Sequence, residues 1–237
     1  MMEMRNMGIT FGNKHTFNDF GLICKDIEVG FPEVKTKIVK LSGSDGFIDL
    51  TKVFGKVMYG SRVITATFLV KEISAGEWAI NMSKIANYLH GENHRIILDN
   101  NKDYYYEGRC KVSFDKEYKP FSTVSIECEC KPYKVEVNAE LGDKWLWNPF
   151  NFKTGIIRRY KNIAVNGSYT LNIRGLAKPV IPLIISDSTM QVEFNGATYN
   201  LSPGNNNIYK LATKEGDNVY KFIGNGVVSI IYKGGML

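Results

Sequence analysis

Only one stretch of this chain carries a convincing helical period. In ISAGEWAINMSKIANYLHGE, Trp78, Met82, Ile85, Ala86 and Leu89 fall at offsets of 4, 7, 8 and 11 and so form a single apolar stripe. Ser74 and Glu77 make a capping box, Ile73 and Trp78 occupy the staple positions, and Gly91 supplies the stop. The spacing predicts a helix over 75–90. The rest of the 237 residues reads as strands and turns: 22 Gly, 13 Tyr and 13 Phe stand against 7 Pro, with many Val, Ile and Thr. The expectation is a mainly β protein, long enough to bury a core without disulfide or metal staples.

Before and after that helix the strands carry different signals. VMYGSRVITATFLV, residues 57–70, is β-branched and has no breaker after Gly60, which predicts one long strand. RIILDNNKDYYYEGRCKVSF places two strand-like runs around an Asp/Asn turn, a β-hairpin. Val124, Ile126, Cys128 and Cys130 then alternate with Ser125, Glu127, Glu129 and Lys131, a strand with one wet face. VKTKIVKL and the GSDGF turn add at least two more strands, so the first part is α+β with roughly six strands and one helix.

From about Asn138 no helical period returns, and short runs recur at about ten-residue intervals: KWLWNPF, TGIIRRYKNIAV, GSYTLNIRG, VIPLIIS, MQVEFNGATYNL, NNIYKL, NVYKFIG and GVVSIIYKG. Even spacing with Gly or Asn turns predicts a β-sandwich or jelly roll. Asn195-Gly196 is the clearest turn, a type I′ signature. Two domains follow, 1–137 and 138–237. Charge divides at the same place: 19 basic and 18 acidic residues (+1) precede the boundary, and 11 basic and 6 acidic (+5) follow it, for the overall +6.

Composition and motifs exclude several functions. No run approaches the about 18 apolar residues a membrane helix needs, and the first residues lack the apolar core of a secretory signal. The expectation is a protein that stays in the cytoplasm where it is made, with Cys24, Cys110, Cys128 and Cys130 as free thiols. Cys128 and Cys130 share one strand face, but zinc would need two further ligands. HGENH sets His90 and His94 around Gly91, which breaks the helical face that a zinc-protease pair requires. DNNKD lacks the glycine and the final acid of an EF-hand loop. GxxxxGK[ST], GxGxxG and GxSxG are absent, so no phosphate cradle, cofactor site or serine elbow is expected. Two surfaces remain: dispersed carboxylates such as Asp45 with Asp49, and an aromatic and basic surface of WLW at 145–147 with RRYK at 158–161 for sugar or nucleic acid, in which Trp145, Trp147 and Tyr160 would stack a sugar.

The order of features over almost the whole chain resembles the distal tail protein family of phages with long flexible tails. The carriers are the opening GITFGNKHTFNDFGLI, the LSGSDGFIDLT turn, YGSRVITATFLV, the YLHGE helix end and IILDNNKDYYYEGRC. YTLNIRGLAKPVIPLII, with Gly175 and Pro182, and the closing VSIIYKGGML complete the series. Met236 stands where the family more often has an aromatic, and Pro179 is extra.

The resemblance implies a tail-tube-like β-barrel with one helix, followed by a galectin-like or carbohydrate-binding-module-like β-sandwich. It implies a homohexameric ring that joins the tail-tube protein to the tail-associated tip protein and meets receptor-binding proteins. DNA passes through its channel in transit, and no catalytic, metal or cofactor residue is carried over. The protein would sit at the virion tail tip after assembly in the bacterial cytoplasm, with acids of the first domain facing the lumen and the +5 domain outside. The competing readings are a carbohydrate-binding module acting through Trp145, Trp147 and Tyr160, and a cell-wall hydrolase acting through a carboxylate pair.

Overall fold

The computed structural model describes residues 7–43, 45–71, 75–115, 121–137 and 160–237. The chain forms two compact units, one of residues 1–101 with 105–134, the other of 102–104 with 135–237. Residue 138, where the sequence pattern changes, lies outside the described residues.

The first unit runs β1 (Ile9–Phe11), β2 (Lys14–His15), α1 (Thr16–Phe20), β3 (Ile23–Val29), β4 (Ile38–Lys40), β5 (Phe47–Asp49), β6 (Arg62–Lys71), α2 (Ala75–Leu89), β7 (Asn93–Leu98), β8 (Tyr104–Asp115) and β9 (Phe121–Cys130). Its sheet is antiparallel in the order β2-β1-β7-β8-β9-β6-β3. Alternation puts Ile64, Ala66 and Phe68 of β6, Cys110 and Val112 of β8, and Val124, Ile126 and Cys128 of β9 into one core. The predicted helical stripe joins it through Met82, Ile85 and Leu89, with Trp78 partly buried and its Nε1 donating to Ser122 Oγ at 2.8 Å. The helix therefore closes the sheet with the face that its period predicted. Of its capping signals, Ile73 and Ser74 lie outside the described residues.

Three short elements near the start had no clear sequence signal. Helix α1 is capped by a histidine: His15 Nδ1 accepts from the Phe17 and Asn18 N–H groups, and Gly21 ends the helix at φ 64°. His15 Nε2 lies 2.9 Å from Asp99 Oδ2. Histidine is an uncommon N-cap, which is why the pattern did not announce this turn.

The second unit comprises β10 (Lys134–Glu136), β11 (Ile163–Gly175), β12 (Leu183–Ser186), β13 (Met190–Phe194), β14 (Ala197–Leu201), β15 (Gly204–Asn206), β16 (Gly216–Ile231) and β17 (Gly235–Met236), with a 3-10 turn at Tyr209–Leu211. Asn195 and Gly196, both at positive φ, join β13 to β14 as their type I′ signature predicts. Elsewhere the sequence expectation is corrected. NIAV with GSYTLNIRG, and NVYKFIG with GVVSIIYKG, are not pairs of short strands but two long ones, β11 and β16, paired from Ile163↔Val228 to Gly175↔Gly216.

The Asn-Gly steps that read as breaks meet inside this ladder at Asn166 against Asn225, flanked by Gly167 against Gly224 and Val165 against Gly226. Gly224 and Gly226 sit at φ 136° and 150°, and there β16 changes partner, from β13 at 221–223 to β12 at 228–231. The sheet curls at this point over a core of Val165, Ile173, Val192, Phe194, Tyr220, Phe222, Val228 and Ile230. The molecule is mainly β, with a helix-bearing first unit and a second built of strands.

Candidate assembly surface

Between β3 and β6 the chain leaves the first sheet as a ribbon. At its base Gly30 N–H donates to Val63 O (2.9 Å), Gly60 N–H to Glu33 O (2.7 Å) and Lys35 N–H to Met58 O (2.9 Å). Val34 bridges Tyr59, whose ring meets Tyr133 edge-on at 6.0 Å. Further out, β4 and β5 pair Ile38 with Asp49, Val39 with Ile48 and Lys40 with Phe47. Leu50 N–H donates to Lys37 O at 2.7 Å, and Lys37 N–H to Thr51 Oγ1 at 3.1 Å. The arm's backbone is thus hydrogen-bonded through β4–β5 and at its base.

Its side chains are not covered. All six residues of β4 and β5 are exposed, so Ile38 and Val39, like Phe47 and Ile48, present apolar groups to both faces of the ribbon. Ten of the fifteen exposed large hydrophobic side chains among the described residues lie between 31 and 58. Phe31 is 88%, Phe54 80% and Phe47 63% exposed, fractions that single surface apolar residues rarely reach together. A two-stranded hairpin without a packed face is marginal in water, and each aromatic here would gain about 1.5–3 kcal/mol from full burial. The arm therefore presents an uncovered apolar surface, which makes it the candidate for assembly. Its five lysines (35, 37, 40, 52 and 56) and three acids (Glu33, Asp45 and Asp49) leave it net +2.

The other sequence candidates sit as follows. Asp45 is exposed on this arm, and the exposed Asp49 carboxylate accepts from Thr51, an interaction that holds it below its ordinary range. A glycosidase acid needs the opposite shift. His90 Nδ1 accepts from Val112 N–H at 3.1 Å, and His94 Nε2 lies 2.8 Å from Tyr88 O, so both rings serve the backbone. Among the described residues no group of three or more His, Cys, Asp or Glu is placed to hold a metal. Tyr160 is half-buried, its ring stacked on Tyr232 at 6.1 Å and its carbonyl accepting from Ile230 N–H at 2.9 Å. Trp145 and Trp147 lie outside the described residues. What sequence reasoning missed is the arm's Phe31, Phe47 and Phe54. The available signal was two adjacent apolar pairs, Ile38-Val39 and Phe47-Ile48, which no one-faced strand accommodates.

No family model matches this sequence, and no curated protein matches it. Among solved structures the fold is similar to the crystal structure of SPP1 Dit (gp 19.1), titled a paradigm of the hub adsorption apparatus in phages infecting Gram-positive bacteria. The TM-score is 0.61 at 12% identity, over 98% of this chain and 99% of that one. This chain therefore shares, end to end, the fold of a phage hub protein.

Proposed function

We propose that this chain is a structural hub of a phage tail, a member of the distal tail protein family, and that six copies close into a ring. The observation that carries the reading is the arm at 31–58: a ribbon hydrogen-bonded through β4–β5 and at its base, with apolar side chains on both faces, which a second copy can cover by a heterologous contact. The likeness to SPP1 Dit over nearly the whole chain supports it. In this reading the ring joins the tail-tube protein to the tail-associated tip protein at the virion tip and meets receptor-binding proteins. DNA crosses its lumen without base-specific contact. Assembly takes place in the bacterial cytoplasm, and the residues after 137 form a peripheral domain. No catalytic step is assigned.

Native mass spectrometry and negative-stain imaging of the full chain test this. The expected result is a six-fold mass and rings with a central opening. A particle that stays monomeric at high concentration, alone and with its tail partners, defeats the proposal.

A further inference from the structure

Three of the four cysteines, Cys110, Cys128 and Cys130, lie on the core face of the first unit, each about 1% exposed. Their positions in the ladder differ. Cys110 on β8 stands directly opposite Cys128 on β9. The Cys110 N–H donates to Glu92 O at 2.9 Å and its C=O accepts from Gly91 N–H at 2.8 Å, so both of its backbone groups turn toward the other neighbour. Cys110 and Cys128 are therefore a non-hydrogen-bonded cross-strand pair, the arrangement in which facing Cα atoms approach to about 4.5 Å, inside the range a disulfide spans. The Cys128 thiol points at Cys110 Sγ at 2.7 Å. Cys130, by contrast, stands opposite Gly108, which offers no sulfur, and its thiol lies 3.5 Å from Cys128 O. Cys24 on β3 stands opposite Phe68.

We infer that Cys110 and Cys128 are a specific oxidation site, closing to a cross-strand disulfide under a peroxide oxidant. The balance is explicit. One thiol is oxidised by hydrogen peroxide to a sulfenic acid, releasing water; the facing sulfur attacks it, forms the S–S bond and releases a second water. Two thiols and one peroxide thus give one disulfide and two waters. Access and chemistry both make the step slow. The contact with Cys110 and burial push the Cys128 thiol up, and burial pushes Cys130 up to about 12, so these two sulfurs hold little thiolate at neutral pH. The pair accordingly stays reduced during synthesis in a reducing compartment and closes only on sustained exposure. The link would tie the two central strands of the sheet. This inference is independent of the hub reading.

Peptide mapping of the full chain tests it. After reduction, desalting and incubation with hydrogen peroxide, free thiols are alkylated and the protein is digested without reductant. The expected product is a Cys110 peptide joined to a Cys128 peptide, about 2 Da below the sum of the two. Closing this short loop should raise the melting midpoint of the first unit by about 5–10 °C, reversibly with dithiothreitol. Cys130→Ser should keep the link and Cys128→Ser should lose both link and shift. Recovery of Cys110 and Cys128 as alkylated thiols or sulfinic acids, or their linkage to Cys24 or Cys130, overturns the assignment. The wild-type map decides this even where a variant does not fold.

Discussion

Two hairpins of similar length meet opposite fates. In β13–β14, Met190, Val192 and Phe194 are buried against the second core while the intervening residues face outward, so the hairpin is stabilised where it lies. In β4–β5 every residue is exposed, although the strands are as apolar. Apolar content alone does not make a core; it makes one only where the chain also supplies the opposite wall. Among the described residues nothing supplies that wall for the arm, which is hydrogen-bonded through β4–β5 and at its base but uncovered; a second copy covering it is what the proposed hub requires.

The sharpest way to break this contrast is to remove an aromatic from each region. Phe222 is fully buried, and Phe222→Ala should cost about 3–5 kcal/mol, enough to unfold or nearly unfold the second unit in a urea titration. Phe47→Ser with Phe54→Ser should leave the monomer's denaturation midpoint within about 0.5 kcal/mol of the wild type while lowering the assembled fraction in native mass spectrometry at least tenfold. If the arm variant destabilises the monomer as the core variant does, the arm is held by the chain itself and the comparison fails.

Next in size is the bend in β16. Gly226 sits at φ 150°, and a Cβ there would run into Ser188 Oγ and Asp187 Oδ1. Those groups hold the turn to β16: Ser188 Oγ donates to Asn225 O at 2.7 Å, and Asp187 Oδ1 accepts from Val227 N–H at 2.8 Å. Gly226→Ala should therefore cost about 2–3 kcal/mol by thermal unfolding. An unchanged midpoint would mean that the bend is set by the partner exchange and not by glycine.

That bend also marks where the sequence was readable. The period of α2, the alternation of β9 and the Asn195-Gly196 turn were legible because each is a local pattern with one physical meaning. Asn166-Gly167 and Asn225-Gly226 carry the same dipeptide and mean something else, because whether such a step reverses the chain or bends it depends on a partner strand about 58 residues away. The arm was legible as strands and illegible as a surface, since a hydrophobic pattern does not say whether its wall is in the same chain. Helix α1 was missed because its cap is a histidine.

The first unit has the mirror image of the arm: a cation inside, beside apolar groups outside. Arg62 is buried on the core face of β6, its guanidinium 5.3 Å from the Tyr106 ring, and among the described residues its Nε and Nη2 meet no hydrogen-bond acceptor. Unpaired buried donors on a charged group are costly, so Arg62→Met, which keeps the packing volume, should leave the folded monomer as stable or about 1 kcal/mol more stable. Chemical denaturation distinguishes this from the ordinary case in which losing a buried cation destabilises. A loss of several kcal/mol would mean that stacking on Tyr106 outweighs the missing bonds.

The smallest effect concerns how the wet face of the same sheet handles exposure. Lys131 Nζ lies 2.8 Å from Glu107 Oε1, both side chains more than a third exposed, and that hydrogen bond holds the Glu107 carboxyl below its ordinary range. A carboxyl depressed in the folded state contributes stability above its unfolded pKa, near about 4.3, and that contribution is lost as pH falls through the lower folded value. Solvent screening limits it to about 0.5 kcal/mol. Lys131→Met should thus lower the urea midpoint slightly at pH 7 in low salt and not at all at pH 2–3 or in molar salt. A difference that persists at low pH would assign the contact to packing of the lysine stem, and the wet face would then resemble the arm more closely than its ion pair suggests.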